Sequence, residues 1–225
     1  MYDPFYLLVL IASLVLGLGT QAYINRQYSK YMKIPISSGF TGAQAARRML
    51  DANGLGGIPI QAVAGKLVDN FNPKTGVISL SEDVFNSYSV SATAIACHEC
   101  GHAIQHASGY APVRIRTAIF PVVSVVSNLW IVVLMIGAML AIVELIWAAV
   151  IMYAIVLLFQ LVTLPVEFNA SSRAIAFIGM SGYLPDPELQ GARRVLRAAA
   201  LTYVAGALVS LLNLLRFINM ANRRR

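Results

Sequence analysis

The chain has 225 residues, of which 58% are hydrophobic and only 12% are charged. Soluble globular proteins are about half apolar and about a quarter charged, so this composition excludes an ordinary soluble domain and favours an integral membrane protein. The net charge of +7 is carried mostly near apolar segments, which favours contact with anionic lipid headgroups and argues against a nucleic-acid partner.

The first predicted element is an apolar span at residues 4–23, followed closely by Arg26, Lys30 and Lys33. No basic residue precedes this span and Asp3 is acidic, so it lacks the n-region of a secretory signal. We therefore predict a retained transmembrane anchor.

Residues 27–116 have mixed polarity and predict a small α+β domain. Residues 41–53 predict a helix with a threonine N-cap. Two short runs rich in β-branched residues predict strands at 58–63 and 76–80, the second after a turn. This region is the candidate catalytic domain.

A second helix of this domain begins near Ser89 or Ser91, either of which could cap it. It carries His98, Glu99 and His102, which form the motif H-E-x-x-H. Helix positions four apart lie on one face about 6 Å apart along the axis, so both imidazoles can bind one metal ion. Glu99 then lies beside the metal, where it can accept a proton from water. The motif predicts a zinc hydrolase.

Catalytic zinc takes three protein ligands and keeps one position open. His106 shares the histidine face but lies about 12 Å along the axis from His98, so we favour a place next to the metal cleft over a ligand role. Glu167 follows a predicted membrane span, and a glutamate on a second helix is the third ligand in gluzincins such as thermolysin. We predict Glu167 as the third ligand, with an interfacial glutamate at a helix end as the alternative.

Cys97 and Cys100 form a C-x-x-C pair in the same helix. At about 100° per residue they point away from the histidine face, so we predict buried, reduced packing residues and no redox pair.

Residues 118–164 contain no basic residue and one acid, Glu144. This length fits two spans of about 20 residues, which predicts a transmembrane hairpin with Glu144 at the turn and Pro165 at the end.

Residues 165–198 predict a helix that supplies the third zinc ligand, with a loop at residues 185–188, and residues 199–219 predict the last span. Four spans place both polar regions on one side of the membrane. The distribution of basic residues predicts that this side is cytoplasmic.

Five segments resemble the YugP-type neutral zinc metallopeptidases of bacterial membranes, in that family's order and over most of the chain: TGAQAARRMLDANGL, GKLVDNFNPKTGVISLSEDVF, SVSATAIACHECGHAIQHA, LPVEFNASSRA and GARRVLRAAALTYVAGAL. There is a more distant likeness to HtpX and CAAX-prenyl endopeptidases. The resemblance implies His98 and His102 as zinc ligands, Glu99 as catalytic base and Glu167 as third ligand.

Four positions depart from the family's pattern. Asn70 and Asn72 replace a usual histidine and aspartate, and Asn169 stands where aspartate is common. In the more distant relatives an aspartate four residues after the glutamate orients a ligand histidine, and here that place is Ser171. Such orienting partners change metal affinity by about 10- to 100-fold.

The sequence as a whole predicts a mainly α-helical integral protein of the bacterial plasma membrane, with about four transmembrane helices and a small α+β, zincin-like catalytic domain. The expected activity is zinc-dependent hydrolysis of peptide or protein substrates associated with the membrane. The alternative is a non-catalytic scaffold or chaperone that keeps zinc for structure. Candidate oxyanion or cleft residues are His106, Arg173 and Tyr203, and strand 76–80 could pair with substrate at its edge. The oligomeric state is not predicted.

Overall fold

The computed structural model of the chain describes residues 4–182 and 184–223. Over this part it contains seven helices and three strands. In chain order they are α1 (Pro4–Met32), α2 (Gly42–Ala52), β1 (Ile60–Val63), β2 (Asn70–Asn72), β3 (Val77–Ser81), α3 (Glu82–Asn86), α4 (Val90–Ala107), α5 (Ala111–Met139), α6 (Val143–Met180) and α7 (Asp186–Asn222).

Four of the described helices are long and apolar enough to cross a membrane, namely α1 from Tyr6, α5, α6 and α7. Many large apolar side chains of these helices are exposed, among them Leu18, Val125 and Leu158. Exposed apolar surface of this kind needs an apolar surrounding. The prediction of a mainly helical protein is confirmed, and the described residues contain four helices that fit the predicted spans by length and composition.

The helices run further than the predicted spans. α6 passes through Pro165 and continues to Met180, so the end of the third span at Pro165 stays a prediction. A proline removes one backbone N–H, and membrane helices tolerate this loss. The predicted loop at residues 185–188 is wrong, since α7 begins at Asp186. Proline is well accommodated in a first turn, where carboxylates also favour the positive end of the helix.

The described residues divide into two compact units. The first unit is drawn from Met1–Gln21, Arg114–Pro165 and Thr202–Arg225. Its core contains an aromatic cluster whose ring centroids lie 4.6 to 5.4 Å apart, formed by Trp130, Tyr153 and Phe217.

The turn between α5 and α6 also lies in this first unit. Gly137 permits the close approach of the two helices, because a Cβ atom there would lie 2.9 Å from the Ile146 nitrogen. Ala141 makes the turn with a φ of 55°. Glu144 is exposed in the first turn of α6, next to this bend, where it was expected.

The second unit consists of Ala22–Val113 and Val166–Leu201. Thr41 caps α2 in a capping box with Gln44, as a threonine cap predicts. Ser89 caps α4 by accepting a hydrogen bond from the Ala92 nitrogen, so Ser89 and not Ser91 begins the motif helix. The Ser89 cap fixes where the helix that carries His98 and His102 starts.

The sheet of the second unit has the strand order β1-β3-β2, with β1 parallel and β2 antiparallel to β3. The proposed pairing of substrate with the edge of strand 76–80 is therefore wrong, because β3 is the central strand and both of its edges are paired. The edge strand β2 was not predicted. Two of its three residues are asparagines, which have low strand propensity.

Candidate metal centre

Three ligand atoms from α4 and α6 converge in the second unit. The Nε2 atoms of His98 and His102 lie 3.2 Å apart. The Oε2 atom of Glu167 lies 3.3 Å from the His98 Nε2 and 3.6 Å from the His102 Nε2. Among the described residues no fourth His, Cys, Asp or Glu side chain joins this group. The structure thus brings together the three residues that the sequence predicts as ligands.

The triangle fits a zinc ion. Zinc–ligand bonds of about 2.0–2.1 Å in tetrahedral geometry place ligand atoms about 3.3 Å from one another. The three measured separations, 3.2, 3.3 and 3.6 Å, lie close to that value. Two imidazoles and one carboxylate are also a donor set that zinc accepts. Among the described residues the group has three such ligands and not four.

His98 is held by Ser171, which lies one turn after Glu167 on α6. The Ser171 hydroxyl is 3.1 Å from the His98 Nδ1. A hydroxyl can accept the Nδ1 proton, which leaves the lone pair of Nε2 for a metal. Ser171 therefore takes the position of the aspartate that orients a ligand histidine in the more distant relatives, with a neutral group in place of a charged one.

His102 is held by Gln105, which the sequence analysis missed. The Gln105 Oε1 lies 3.1 Å from the His102 Nδ1. The sequence could have indicated Gln105, because a residue three positions after His102 on a helix lies on the same face as His102. A glutamine inside an otherwise small and apolar stretch needs a partner once it is buried.

Glu99 is buried, with only 7% of its surface exposed. Burial raises the pKa of the Glu99 carboxyl from its ordinary value, and the neighbouring His98 and His102 partly offset this effect. Burial by itself would lower the pKa of His102, but contact with Glu167 and the charge of Glu99 outweigh it, so the pKa of His102 is raised. The centre therefore favours positive charge, which a divalent cation supplies.

The remaining predicted site residues are not among the three ligands of this group. His106 is exposed on α4 and packs edge-on against Phe71, with ring centroids 6.0 Å apart. Arg173 donates its Nε to the Asn169 Oδ1 at 2.8 Å. Tyr203 belongs to the first unit and is 42% exposed. A role for these three side chains in catalysis stays a prediction.

The two cysteines are free, fully buried and on the opposite face of α4. Cys100 donates a weak hydrogen bond to the Ala46 carbonyl at 3.4 Å, and burial raises the pKa of Cys97 to about 12. The prediction of reduced packing residues is confirmed.

Comparison with known proteins gives similarities that cover nearly the whole chain. Residues 6–222 match the family described as “Putative neutral zinc metallopeptidase”. The chain is also 45% identical, over 213 residues, to the “Putative membrane protease YugP” of Bacillus subtilis (strain 168), and the match covers 95% of each chain. No solved structure matches the chain. The matched range includes His98, Glu99, His102 and Glu167.

Proposed function

The chain belongs to this family of neutral zinc metallopeptidases, and we propose that it is a membrane-bound metalloendopeptidase with zinc held by His98, His102 and Glu167. The observation that carries the proposal is the triangle of three ligand atoms, which no fourth His, Cys, Asp or Glu of the described residues joins. A structural zinc site is usually closed by four ligands. A site with three protein ligands favours catalysis over the alternative of a zinc-stabilised scaffold or chaperone.

Zinc in this centre would supply a Lewis acid that polarises a peptide carbonyl and lowers the pKa of water. Glu99 acts as the general base: it accepts a proton from the attacking water and delivers it to the leaving amine as the C–N bond breaks. A base works best when its pKa is near the working pH, and burial moves the pKa of Glu99 in that direction. His98 and His102 stay in place because Ser171 and Gln105 hold their second nitrogen atoms.

The sheet offers a place for an extended substrate on β2. This strand is an edge of the sheet, and its Phe71 contacts His106 on the motif helix. Main-chain hydrogen bonds from an edge strand can align a peptide without selecting its sequence. In this proposal β2, in place of β3, carries the substrate strand.

The proposed substrates are peptides or proteins associated with the membrane, because the chain itself carries four apolar helices long enough to cross a bilayer. The second unit, which holds the candidate metal centre and is here the proposed catalytic unit, contains 11 of the 17 lysines and arginines of the chain, among them Arg26, Lys30 and Arg197. The positive-inside rule therefore supports a cytoplasmic catalytic unit.

The decisive experiment compares the full-length wild type with Glu99→Gln. Zinc per chain is measured by elemental analysis of the purified proteins, and cleavage is measured by peptide proteomics of membranes that contain either form. We expect Glu99→Gln to keep one zinc per chain and to lose cleavage by about 100-fold or more, the usual contribution of a general base.

Two results would contradict the proposal. Equal cleavage by both forms would exclude Glu99 as the base. Zinc binding without any cleavage by the wild type would leave the scaffold as the better interpretation. Glu188→Gln is the matched control, because Glu188 is a half-buried acid outside the ligand triangle whose carboxylate accepts hydrogen bonds from the Ser37 backbone nitrogen and hydroxyl.

A further inference from the structure

Gln105 is completely buried and makes three hydrogen bonds. Its amide nitrogen donates to the Val166 carbonyl at 2.7 Å and to the Asn169 Oδ1 at 3.1 Å. Its amide oxygen lies 3.1 Å from the Nδ1 of His102. The side chain therefore bridges α4 to the segment of α6 that carries Glu167.

These partners fix the orientation of the amide. A main-chain carbonyl can only accept, so the atom that faces Val166 must be the NH2 group of Gln105. The Asn169 Oδ1 also accepts from the Arg173 Nε, so it too requires a donor from Gln105. Both amide protons are then used on α6, and only the oxygen is left for the histidine.

The orientation of the amide determines the tautomer of His102. The Gln105 Oε1 can only accept, so the Nδ1 of His102 must carry a proton and donate it. In a neutral imidazole the Nε2 then has its lone pair free, and the Nε2 is the atom that points at the His98 Nε2 and the Glu167 carboxylate. The neutral histidine thus already has the tautomer that a metal requires, before any metal binds.

We propose that Gln105 is a positioning residue, which fixes His102 in the Nδ1-protonated tautomer. It also links His102 to the main-chain carbonyl of Val166, the residue before Glu167. This inference rests on the proposed zinc site but not on cleavage. Gln105 touches no reacting atom in this arrangement and acts through His102. Asn169 and Arg173 extend the hydrogen-bonded chain along α6 and hold the amide in its orientation.

His98 differs from His102 in this respect. Its Nδ1 faces the Ser171 hydroxyl, which can either donate or accept. Ser171 therefore permits both tautomers of His98, whereas Gln105 permits one tautomer of His102. The two histidines of the motif should be distinguishable in the metal-free protein.

The first test needs no substitution. The chain contains three histidines, so the side-chain ¹⁵N spectrum of the full-length, metal-free protein in detergent has few signals. At a pH high enough to make all imidazoles neutral, we expect His102 to show a protonated Nδ1 and an unprotonated Nε2. A protonated Nε2 on His102 would overturn the inference. Exposed His106 serves as an internal reference.

The second test measures zinc affinity by competition with a chelator. Gln105→Leu keeps the volume but removes every hydrogen bond, and we expect zinc affinity to fall by about 10- to 100-fold. Gln105→Glu keeps an acceptor oxygen for His102 and should restore the tautomer that Gln105→Leu loses. If Gln105→Leu does not fold, the ¹⁵N spectra of the wild type and of Gln105→Glu test the inference, because both should show His102 protonated at Nδ1.

The matched control is Ser91→Ala, which removes another buried hydrogen bond of α4, from the Ser91 hydroxyl to the Tyr28 carbonyl at 3.0 Å. Its zinc affinity should stay within about threefold of the wild type, because Ser91 orients no ligand. Equal losses in Gln105→Leu and Ser91→Ala would show a merely structural role and overturn the inference. The protein could show the expected tautomer of His102 and the expected zinc affinities and yet cleave no substrate. That result would contradict the proposed function but not the positioning role of Gln105.

Discussion

Gly101 and Ala170 bring α4 and α6 into direct main-chain contact. A Cβ atom at Gly101 would lie 2.6 Å from the Ala170 carbonyl oxygen and 3.0 Å from its Cα. Non-bonded atoms do not approach so closely, so only glycine permits this crossing. His102 is the next residue on α4, and Glu167 lies about one turn before Ala170 on α6. The contact therefore determines how closely the two parts of the metal centre approach each other.

Gly101→Ala should separate the two helices and weaken zinc binding. We expect a loss of stability of about 1–3 kcal/mol from overpacking, together with a zinc affinity at least about tenfold lower because the ligand triangle widens. Thermal unfolding and chelator competition measure the two effects. Gly206→Ala is the control, since a Cβ atom at this helical glycine meets nothing within 4 Å. Unchanged zinc affinity in Gly101→Ala would show that the close contact does not set the geometry of the centre.

Glu167→Gln should remove the only charged ligand of the triangle. The buried amide that results is a poor zinc ligand, so we expect zinc affinity to fall by about 100-fold or more. His106→Ala should retain zinc, because His106 is exposed and lies against Phe71. If His106→Ala lost zinc while Glu167→Gln kept it, the third ligand would be His106 and the assignment would be wrong.

The apparent zinc affinity should keep rising with pH to a higher pH than it would for a histidine pair with ordinary pKa values. The raised pKa of His102 means that the folded, metal-free protein holds a proton there above the usual range. Zinc must displace this proton, so the apparent affinity should rise by about tenfold per pH unit until the pH passes the pKa of His102. The proton on His102 also stabilises the folded, metal-free form, and this effect has the opposite trend. It is complete below about pH 6.5, the ordinary pKa of histidine, and it is lost as the pH rises through the raised pKa of His102.

Chelator competition over a pH series, together with unfolding of the metal-free protein, measures both trends. An apparent zinc affinity that stopped rising at pH values near 6.5 would contradict the raised pKa of His102.

Cys97 and Cys100 should resist alkylation in the folded protein. Burial raises the pKa of both thiols, that of Cys97 to about 12, so almost no thiolate is present at neutral pH. Mass spectrometry after treatment with iodoacetamide should find neither residue modified, and both modified once the protein is denatured. Rapid modification of the native protein would mean that this face of α4 opens to solvent.

The local features of the motif helix could be predicted from the sequence because they depend on short spacings. Four-residue spacing places His98 and His102 on one face, and a serine before the helix supplies its cap. Glu167 could be proposed because few acids in the chain lacked another explanation. The structure then brought these three residues together, although nothing in local spacing requires α6 to approach α4.

The partners of the ligands could not be predicted in the same way. The role of Gln105 depends on Val166 and Asn169, which are far away in sequence and become neighbours only after packing. The order of the strands could not be predicted either, because the two asparagines that flank Phe71 have low strand propensity and the segment pairs only with β3. Both omissions concern contacts between distant segments.

The order of the ligands in the chain has a consequence for biosynthesis. Proteins are made from the N-terminus, so His98, Glu99 and His102 are synthesised before α5 and the first part of α6. Until Glu167 follows, the nascent polypeptide has two ligands for the ion and no complete centre. Under the proposed function, a polypeptide that ends before Glu167 therefore lacks the third ligand, and we expect it to be inactive.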